Sequence, residues 1–331
     1  MPTNLPPEYF EVEKRYKAAS TPAEKVATLE ELISSIPKHK GTDHLRANLR
    51  RRLSKIKSAS QSKKGSSRQI SAYHIDKEGA GQVVVIGPAN VGKSSLVAAL
   101  TNADPEVSAA PFTTWNPTPG MMLIENFQVQ LIDTPPLNPD YVDPELINLI
   151  RRADLILLMV DLQTDPVQQL EDSLSILIEQ RIIPRSLADR APDTLLRLFF
   201  KPCLVLANKC DDEAGDEIYE IFLDLLEGDC PEILPISVGT DRNIEAMKQV
   251  IFERLDIIRV YSQSPGQEAK FDQPFVLPTD STVGEFSRKV HKDFYDNLKS
   301  ARIWGTSAAF AGQIVSREHV LQDGDVIELS M

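Results

Sequence analysis

The sequence has few of the residues that build metal centres and covalent cross-links. Only three of its 331 residues are cysteine, Cys203, Cys210 and Cys230, and only five are histidine. None of them stands in a CxxC or a mixed Cys/His spacing, so the pattern indicates neither a disulfide framework nor a zinc site. We interpret the cysteines as buried or incidental thiols and assign no chemistry to the histidines.

Long apolar runs are missing as well. No stretch reaches the ~18 consecutive apolar residues that a membrane-spanning helix needs, and the first residues lack the basic and apolar regions of a signal peptide. Hydrophobic residues make up 42% of the chain and charged residues 25%, as is ordinary for a globular protein with a sizeable core. We therefore expect a cytoplasmic protein without a membrane partner.

The formal net charge of −12 is distributed unevenly along the chain. Residues 38–68 contain eleven of the 36 Lys and Arg residues but only one of the 48 acidic ones, Asp43. A basic segment on an acidic body suggests a polyanionic partner, such as RNA, that is touched at one place. A charge-rich helix is also a common solvated surface, so both interpretations stay open.

Three regions with different patterns follow one another. Residues 1–68 are predicted to be a basic helical region with a flexible linker at its end, and its helices are expected at about 9–18, 22–36 and 43–57. Residues 79–256 alternate short apolar strands with helical stretches, which predicts an α/β domain with a mostly parallel sheet.

Residues 257–331 carry shorter strands and one predicted helix. Thr282 and Glu285 have the spacing of a capping box at the start of that helix, and Val283, Phe286, Val290 and Phe294 are expected to form its buried side. The pattern of two strands, a helix and further strands predicts a separate, small α+β domain.

The most informative motif joins a β-branched strand to a helix over residues 87–95, GPANVGKSS. Its glycines let successive backbone N–H groups face one anion, Lys93 can reach the β and γ phosphates of a nucleotide, and Ser94 can offer its hydroxyl to Mg²⁺. The predicted nucleotide-binding residues here are Gly87, Asn90, Val91, Gly92, Lys93, Ser94 and Ser95. A glycine-rich turn without a ligand is the alternative, but a strand before and a helix after favour the nucleotide.

A second motif, Asn208-Lys209-Cys210-Asp211, follows the predicted strand 203–207 and indicates which base is bound. The Asp211 carboxylate can accept hydrogen bonds from the N1–H and the exocyclic amine of guanine, and adenine offers no such pair of donors. Ser237, Val238 and Gly239 follow the next strand, where backbone N–H groups could meet the guanine carbonyl, although this signal is weak by itself. A surface turn after a strand is the alternative for residues 208–211.

Two further positions complete a predicted Mg²⁺ site with Ser94. Asp133 ends the strand 129–132 and has the placement of an acid that holds Mg²⁺ through water. The connection before that strand contains Thr113 and Thr114, and a threonine hydroxyl there would coordinate Mg²⁺ only when a γ-phosphate is present. We favour Thr114 over Thr113 for this role.

Together the motifs resemble one family of nucleotide-binding proteins. GPANVGKSS, PFTT followed by Pro119-Gly120, DTPP and NKCD look like the Obg class of GTPases, and the chain most resembles the developmentally regulated GTP-binding (DRG) proteins. Residues 257–331 are similar to the TGS domain, a β-grasp module. The resemblance implies binding of GTP and GDP with Mg²⁺, GTP hydrolysis with Lys93, Thr114 and Asn90 as the acting residues, and association with RNA or ribosomes through residues 38–68 and the TGS domain. It also implies that Asn90 holds a K⁺ ion, although asparagine is common in tight turns.

The chain departs from the family pattern after Asp133. The family has Asp-x-Pro-Gly, but Pro136 replaces the glycine and has no N–H with which to report a γ-phosphate. Leu137 stands where Ras-like enzymes place a water-orienting glutamine, so we expect slow intrinsic hydrolysis. The spacing from Asp133 to Asn208 also looks too short for the extra small domain that DRG proteins carry within the GTPase domain.

Two other function classes compete with a ribosome- or RNA-associated GTPase. A GTP-binding scaffold that neither hydrolyses nor switches is suggested by Pro136. An enzyme with another substrate, regulated by GTP, is suggested by the occurrence of TGS domains in synthetases, but the sequence has no catalytic Cys/His, zinc or paired-carboxylate motif to support it.

Overall fold

In a computed structural model, residues 1–71 and residues 72–331 form two compact units. The structure describes residues 72–103, 116–139, 141–190, 197–226, 228–264, 267, 269 and 271–330, together with six residues of the first unit. Those six are Val12, Arg15, Thr28, Glu31, Leu32 and Ser35.

The described residues of the first unit agree with two of its predicted helices. Val12 and Arg15 are helical, and so are Thr28, Glu31 and Leu32. Arg15 and Glu31 form an exposed ion pair at 3.0 Å, and Val12 and Leu32 are buried. The third predicted helix, the linker and the rest of the basic residues 38–68 lie outside the described residues.

The second unit begins with a six-stranded sheet in the order β2-β3-β1-β4-β7-β8. Its strands are β1 (Gln82–Ile86), β2 (Thr118–Ile124), β3 (Phe127–Asp133), β4 (Leu155–Asp161), β7 (Cys203–Asn208) and β8 (Ile233–Pro235). All pairs are parallel except β2 with β3, which form an antiparallel hairpin at one edge. The predicted α/β class with a mostly parallel sheet is confirmed.

Helices cover both faces of this sheet, which is why its central strands are apolar without alternation. One face packs against α2 (Pro144–Arg152), α3 (Pro166–Glu179) and α4 (Glu213–Leu225). The other packs against α1 (Lys93–Leu100) and α5 (Ile244–Arg254). Every residue of β1 and β4 is buried, so both strands serve two apolar cores at once.

Three strands of this region were not predicted. β2 is the antiparallel edge strand, and a separate pair of short parallel strands, β5 (Ile182–Pro184) and β6 (Phe199–Lys201), stands beside the main sheet. A 3₁₀ segment over Arg185–Arg190 follows β5. Among the helices of the described residues, none combines the length and the apolar character that crossing a bilayer requires.

The C-terminal part of the second unit is a five-stranded sheet in the order β10-β9-β13-β11-β12, with helices packed on it. Its strands are β9 (Ile257–Ser262), β10 (Phe275–Pro278), β11 (Ser300–Trp304), β12 (Gln313–Val315) and β13 (Asp325–Ser330). The predicted capping box is present, because Thr282 accepts from the Glu285 N–H and the Glu285 carboxylate accepts from the Thr282 N–H.

The single helix predicted in this part is wrong at its C-terminal end, since two helices are present. α6 spans Val283–Val290 and α7 spans Lys292–Asn297, with His291 extended between them. The imidazole of His291 accepts from the Asp293 N–H at 3.2 Å and so caps the second helix, which ends the first one. Phe294 still packs on the core of this sheet, but from α7.

The turn between β2 and β3 contacts the C-terminal sheet. Arg259 on β9 pairs with Glu125 of this turn and with Asp323, the latter at 2.7 Å. The neighbouring Asn126 donates to the Tyr261 hydroxyl at 2.9 Å. Because β3 runs from this turn to Asp133, one strand connects the C-terminal sheet to a predicted metal ligand.

Candidate functional site: a phosphate loop and a base loop at one sheet edge

The loop between β1 and α1 is shaped by two glycines with positive φ. Gly87 has φ of 142° and Gly92 has φ of 100°. A Cβ atom at Gly87 would overlap the Met159 carbonyl oxygen, and one at Gly92 would overlap the Asn208 amide nitrogen. Other residues are therefore excluded at both positions by backbone conformation and by contact with neighbouring strands.

Lys93 lies inside this loop with 6% of its surface exposed. Its ammonium donates to the carbonyl oxygens of Gly87 at 3.0 Å and Pro88 at 2.6 Å. Burial lowers the pKa of Lys93 to about 8, and the nearby Asp133 carboxylate opposes that shift. A buried cation whose contacts are neutral carbonyls is suited to receive a phosphate anion.

Ser94 and Asp133 come together at the start of α1. The Ser94 hydroxyl donates to the Asp133 carboxylate at 2.6 Å, and Asp133 is fully buried at the end of β3. The structure thus places two of the three predicted Mg²⁺ ligands side by side, with the oxygen chemistry that Mg²⁺ prefers. Thr113 and Thr114 lie outside the described residues.

Asn208 connects the phosphate loop with the loop after β8. Its side-chain amide donates to the Val91 carbonyl at 2.8 Å, and its oxygen accepts from the Val238 N–H at 3.3 Å. Asn208 is 3% exposed, so both halves of its amide are satisfied by the two loops. The two predicted loops are therefore parts of one site.

Asp211 and Ser237 meet on the far side of Asn208. The buried Ser237 hydroxyl donates to the Asp211 carboxylate at 2.5 Å and accepts from the Thr240 N–H at 3.0 Å. Asp211 itself is exposed. Val238 and Gly239 follow Ser237 in the same turn. The hydrogen bonds of Ser237 therefore hold this turn beside the Asp211 carboxylate.

Comparison with known proteins assigns the two parts of the second unit. Residues 82–188 match the model of the family described as 50S ribosome-binding GTPase, and residues 258–331 match the TGS domain. A GTP-binding protein of Methanocaldococcus jannaschii is 28% identical over 92% of this chain and 92% of its own. Developmentally-regulated GTP-binding protein 1 of Xenopus laevis is 25% identical over 92% of this chain and 98% of its own. The chain is therefore similar to the DRG proteins over most of its length, with a GTPase domain and a C-terminal TGS domain.

Other similarities of this DRG-like GTPase agree with that assignment. Ribosome-interacting GTPase 1 of Saccharomyces cerevisiae is 24% identical over 94% of this chain and 99% of its own. The YchF GTPase of Schizosaccharomyces pombe shares the fold, with a TM-score of 0.52 and 13% identity over 77% of this chain and 99% of its own.

The archaeal relative is longer than the DRG-like GTPase within the region they share. Their alignment runs over 361 residues, whereas 92% of 331 residues is about 305, so about 56 positions have no counterpart in this chain.

Two ion pairs of the DRG-like GTPase were missed by the sequence reasoning. Lys209, in the left-handed region at φ of 68°, pairs with the buried Asp161 at 2.5 Å, and Arg242 makes a two-point contact with Asp216 at 2.7 and 2.9 Å. Asp161 ends an apolar strand, as Asp133 does, and this shared position in the sequence could have indicated that Asp161 belongs to the site. No sequence pattern could have indicated the Arg242–Asp216 pair, because its members lie on separate elements.

The segment after Asp133 is tied to the phosphate loop and to the core. Thr134 donates its hydroxyl to the Val85 carbonyl at 2.6 Å, and the Leu137 N–H donates to the Gly87 carbonyl at 3.0 Å. The Leu137 side chain is only 5% exposed and lies in the apolar core beneath α2.

Proposed function

We propose that this protein binds GTP and GDP across the two loops, hydrolyses GTP slowly with Mg²⁺, and couples its nucleotide state to association with RNA or ribosomes. The observation that carries the proposal is the position of Asn208, whose amide bridges Val91 of the phosphate loop and Val238 of the base loop. A ligand with a polyphosphate at one end and a guanine at the other fits that arrangement.

Each predicted side chain has a role in this proposal. Lys93 exchanges its carbonyl contacts for the β and γ phosphates, and the backbone N–H groups of the phosphate loop hold the same oxygens. Ser94 and Asp133 hold Mg²⁺, with Thr114 as a third ligand in the GTP state. Asp211 accepts from the guanine N1–H and amine, and the 237–239 turn offers backbone N–H groups to the guanine carbonyl.

Asn90 is the proposed K⁺ ligand. Its side chain is exposed at the tip of the phosphate loop, and its φ of 64° turns the main chain there. A monovalent cation at this point would supply positive charge beside the transferring phosphate, where other GTPases use arginine. The alternative is that Asn90 only makes the turn, because asparagine tolerates left-handed backbone.

Association with RNA or ribosomes is supported by the names of the relatives. The family matched by residues 82–188 is described as ribosome-binding, and one full-length relative is a ribosome-interacting GTPase. We propose residues 38–68 and the TGS domain as the contact regions, and a cytoplasmic location follows from such a partner.

Electrostatic RNA binding predicts that affinity falls by ~0.7 log units per neutralised phosphate for each tenfold rise in salt. Changing Arg50, Arg51 and Arg52 to Ala should reduce that slope.

Calorimetry and single-turnover kinetics test the proposal together. GTP and GDP should bind at least a hundredfold more tightly than ATP, because adenine leaves the Asp211 acceptor unpaired. Hydrolysis should be measurable with Mg²⁺, faster in K⁺ than in Na⁺ if Asn90 binds K⁺, and faster again with ribosomes. Equal affinity for adenosine and guanosine nucleotides would refute the base assignment. Hydrolysis no faster than in buffer under all conditions would favour the non-hydrolysing scaffold.

A further inference from the structure

Two arginines of the TGS domain stack on one tyrosine at its surface. The guanidinium carbon of Arg288 lies 4.0 Å from the centre of the Tyr295 ring, and that of Arg317 lies 3.7 Å from it. Arg288 is in the last turn of α6, Tyr295 is in α7, and Arg317 follows β12. Three separate elements therefore converge on one ring.

The stack is held in place by the backbone beneath it. Gly284 donates its N–H to the Arg317 carbonyl at 2.9 Å, and a Cβ atom at Gly284 would come within 2.9 Å of the Arg317 Cγ. The glycine thus leaves room for the arginine stem to cross α6. The break at His291 turns α7 so that Tyr295 reaches both arginines. Guanidinium groups fixed in this way lose little conformational freedom when they bind an anion.

Neither arginine of this cluster forms an ion pair with a described residue. Among the residues that the structure describes, no carboxylate lies within 4.0 Å of the Arg288 or Arg317 guanidinium. Four other arginines of the same unit each pair with an acid: Arg185, Arg242, Arg254 and Arg259. Both Arg288 and Arg317 are exposed, so their N–H donors face solvent.

We propose that Arg288 and Arg317, held by Tyr295, bind adjacent phosphates of an RNA backbone. This inference rests on the proposed RNA association and names the side chains that make the contact within the TGS domain. Guanidinium forks match phosphate oxygens in two-point contacts. Since the guanidinium groups already cover the ring, no base stacks on Tyr295, and the contact does not read sequence.

We call Arg288, Arg317 and Tyr295 the phosphate clamp. Fluorescence anisotropy with the full chain tests this clamp directly. The probe is a 5′-labelled single-stranded RNA of about 20 nucleotides, titrated at several salt concentrations. The variant Arg288→Gln/Arg317→Gln should bind at least tenfold more weakly, and its salt slope should shrink by about 1.4, which is two phosphates at about 0.7 each. Tyr295→Leu keeps both charges but removes the ring, so it should weaken binding several-fold with a salt slope close to wild type.

The matched control is Arg302→Gln, which removes one exposed charge from β11 of the same domain. It should leave RNA affinity within twofold of wild type. All three variants change solvent-facing or half-exposed positions, and melting temperatures close to wild type verify that they fold. A clamp variant that binds RNA like the Arg302 control would overturn the inference.

Two further measurements separate this inference from the proposed function. Wild-type protein that binds neither the RNA nor purified ribosomes in co-sedimentation would refute the RNA association as a whole. Wild-type binding that the clamp variant retains in full would refute the clamp alone. A labelled poly-glutamate peptide is the competing anion: loss of its binding in the clamp variant, with RNA binding unchanged, would assign the arginines to an acidic protein partner.

Discussion

The backbone N–H of Leu137 donates to the carbonyl oxygen of Gly87, with the two atoms 3.0 Å apart. The same carbonyl accepts from the Lys93 ammonium at 3.0 Å, and Pro136, just before Leu137, has no N–H to donate. In the described conformation, the N–H nearest to the altered glycine position is therefore engaged by the phosphate loop itself. A γ-phosphate must be sensed by another group or must displace this hydrogen bond.

Replacing Leu137 with glutamine should not restore a water-orienting side chain. Because Leu137 is 5% exposed in the core beneath α2, the amide would be buried without partners, and the free energy of unfolding should fall by about 2–4 kcal/mol. Turnover per folded molecule should not rise. Urea denaturation and single-turnover hydrolysis measure the two effects.

Leu123→Gln is the control, because Leu123 is 55% exposed on β2 and its loss should cost under about 0.5 kcal/mol. Faster hydrolysis by the Leu137 variant would show that this side chain reaches the phosphates.

Nucleotide binding should weaken above pH 8. Burial lowers the pKa of Lys93 to about 8, so the free protein loses this ammonium proton at a lower pH than an exposed lysine does. Bound phosphates favour the protonated form of Lys93, so nucleotide binding above pH 8 should be accompanied by uptake of a proton. The nucleotide affinity should therefore fall by up to about tenfold for each pH unit above 8. Calorimetry with GDP from pH 7 to 9, in two buffers of different ionisation enthalpy, measures both quantities. Constant affinity without proton uptake would contradict the environment described for Lys93.

Asp211 should distinguish guanine from hypoxanthine. Hypoxanthine lacks the exocyclic amine, so wild-type protein should prefer GTP over ITP by about 10–100-fold, the range of one hydrogen bond to a charged group. Asp211→Ala should lower GTP affinity and bring the ratio close to one. Asp224→Ala, on the exposed side of α4, should leave the ratio unchanged. A preference that survives in the Asp211 variant would place guanine recognition elsewhere.

Arg259 should stabilise the contact between the TGS sheet and the β2–β3 turn. Its side chain is 16% exposed, pairs with Glu125 and Asp323, and lies 4.7 Å from the Phe252 ring centre. Arg259→Ala should lower the free energy of unfolding by about 1–3 kcal/mol, measured by urea denaturation, because two acids lose their partner. Arg302→Ala is the control on the same sheet.

This effect should depend on pH in a defined direction. Burial alone would raise the pKa of Asp323, but hydrogen bonds from Arg259 hold it below its usual value. The Asp323 contribution is therefore present at pH 5 and is lost as the pH falls below about 4, so the difference between wild type and Arg259→Ala should shrink there. A difference that grows on acidification would refute the pairing.

The sequence by itself determined the local elements and their chemistry. The apolar run 83–86 of β1, the glycines at 87 and 92 and the capping box at Thr282 depend on residues near one another in the chain, so pattern and spacing were sufficient to predict them. The same holds for five strands of the α/β domain, β1, β3, β4, β7 and β8, and for the family resemblance carried by its motifs.

Only the tertiary structure decided which distant residues meet. It paired Lys209 with Asp161, turned Leu137 into the core and joined Arg259 to Glu125. Each of these depends on how separate elements pack, and burial or pairing across many residues leaves no periodic mark in the chain. The arginine stack on Tyr295 is of the same kind, because three elements must fold together before both guanidinium groups reach the ring.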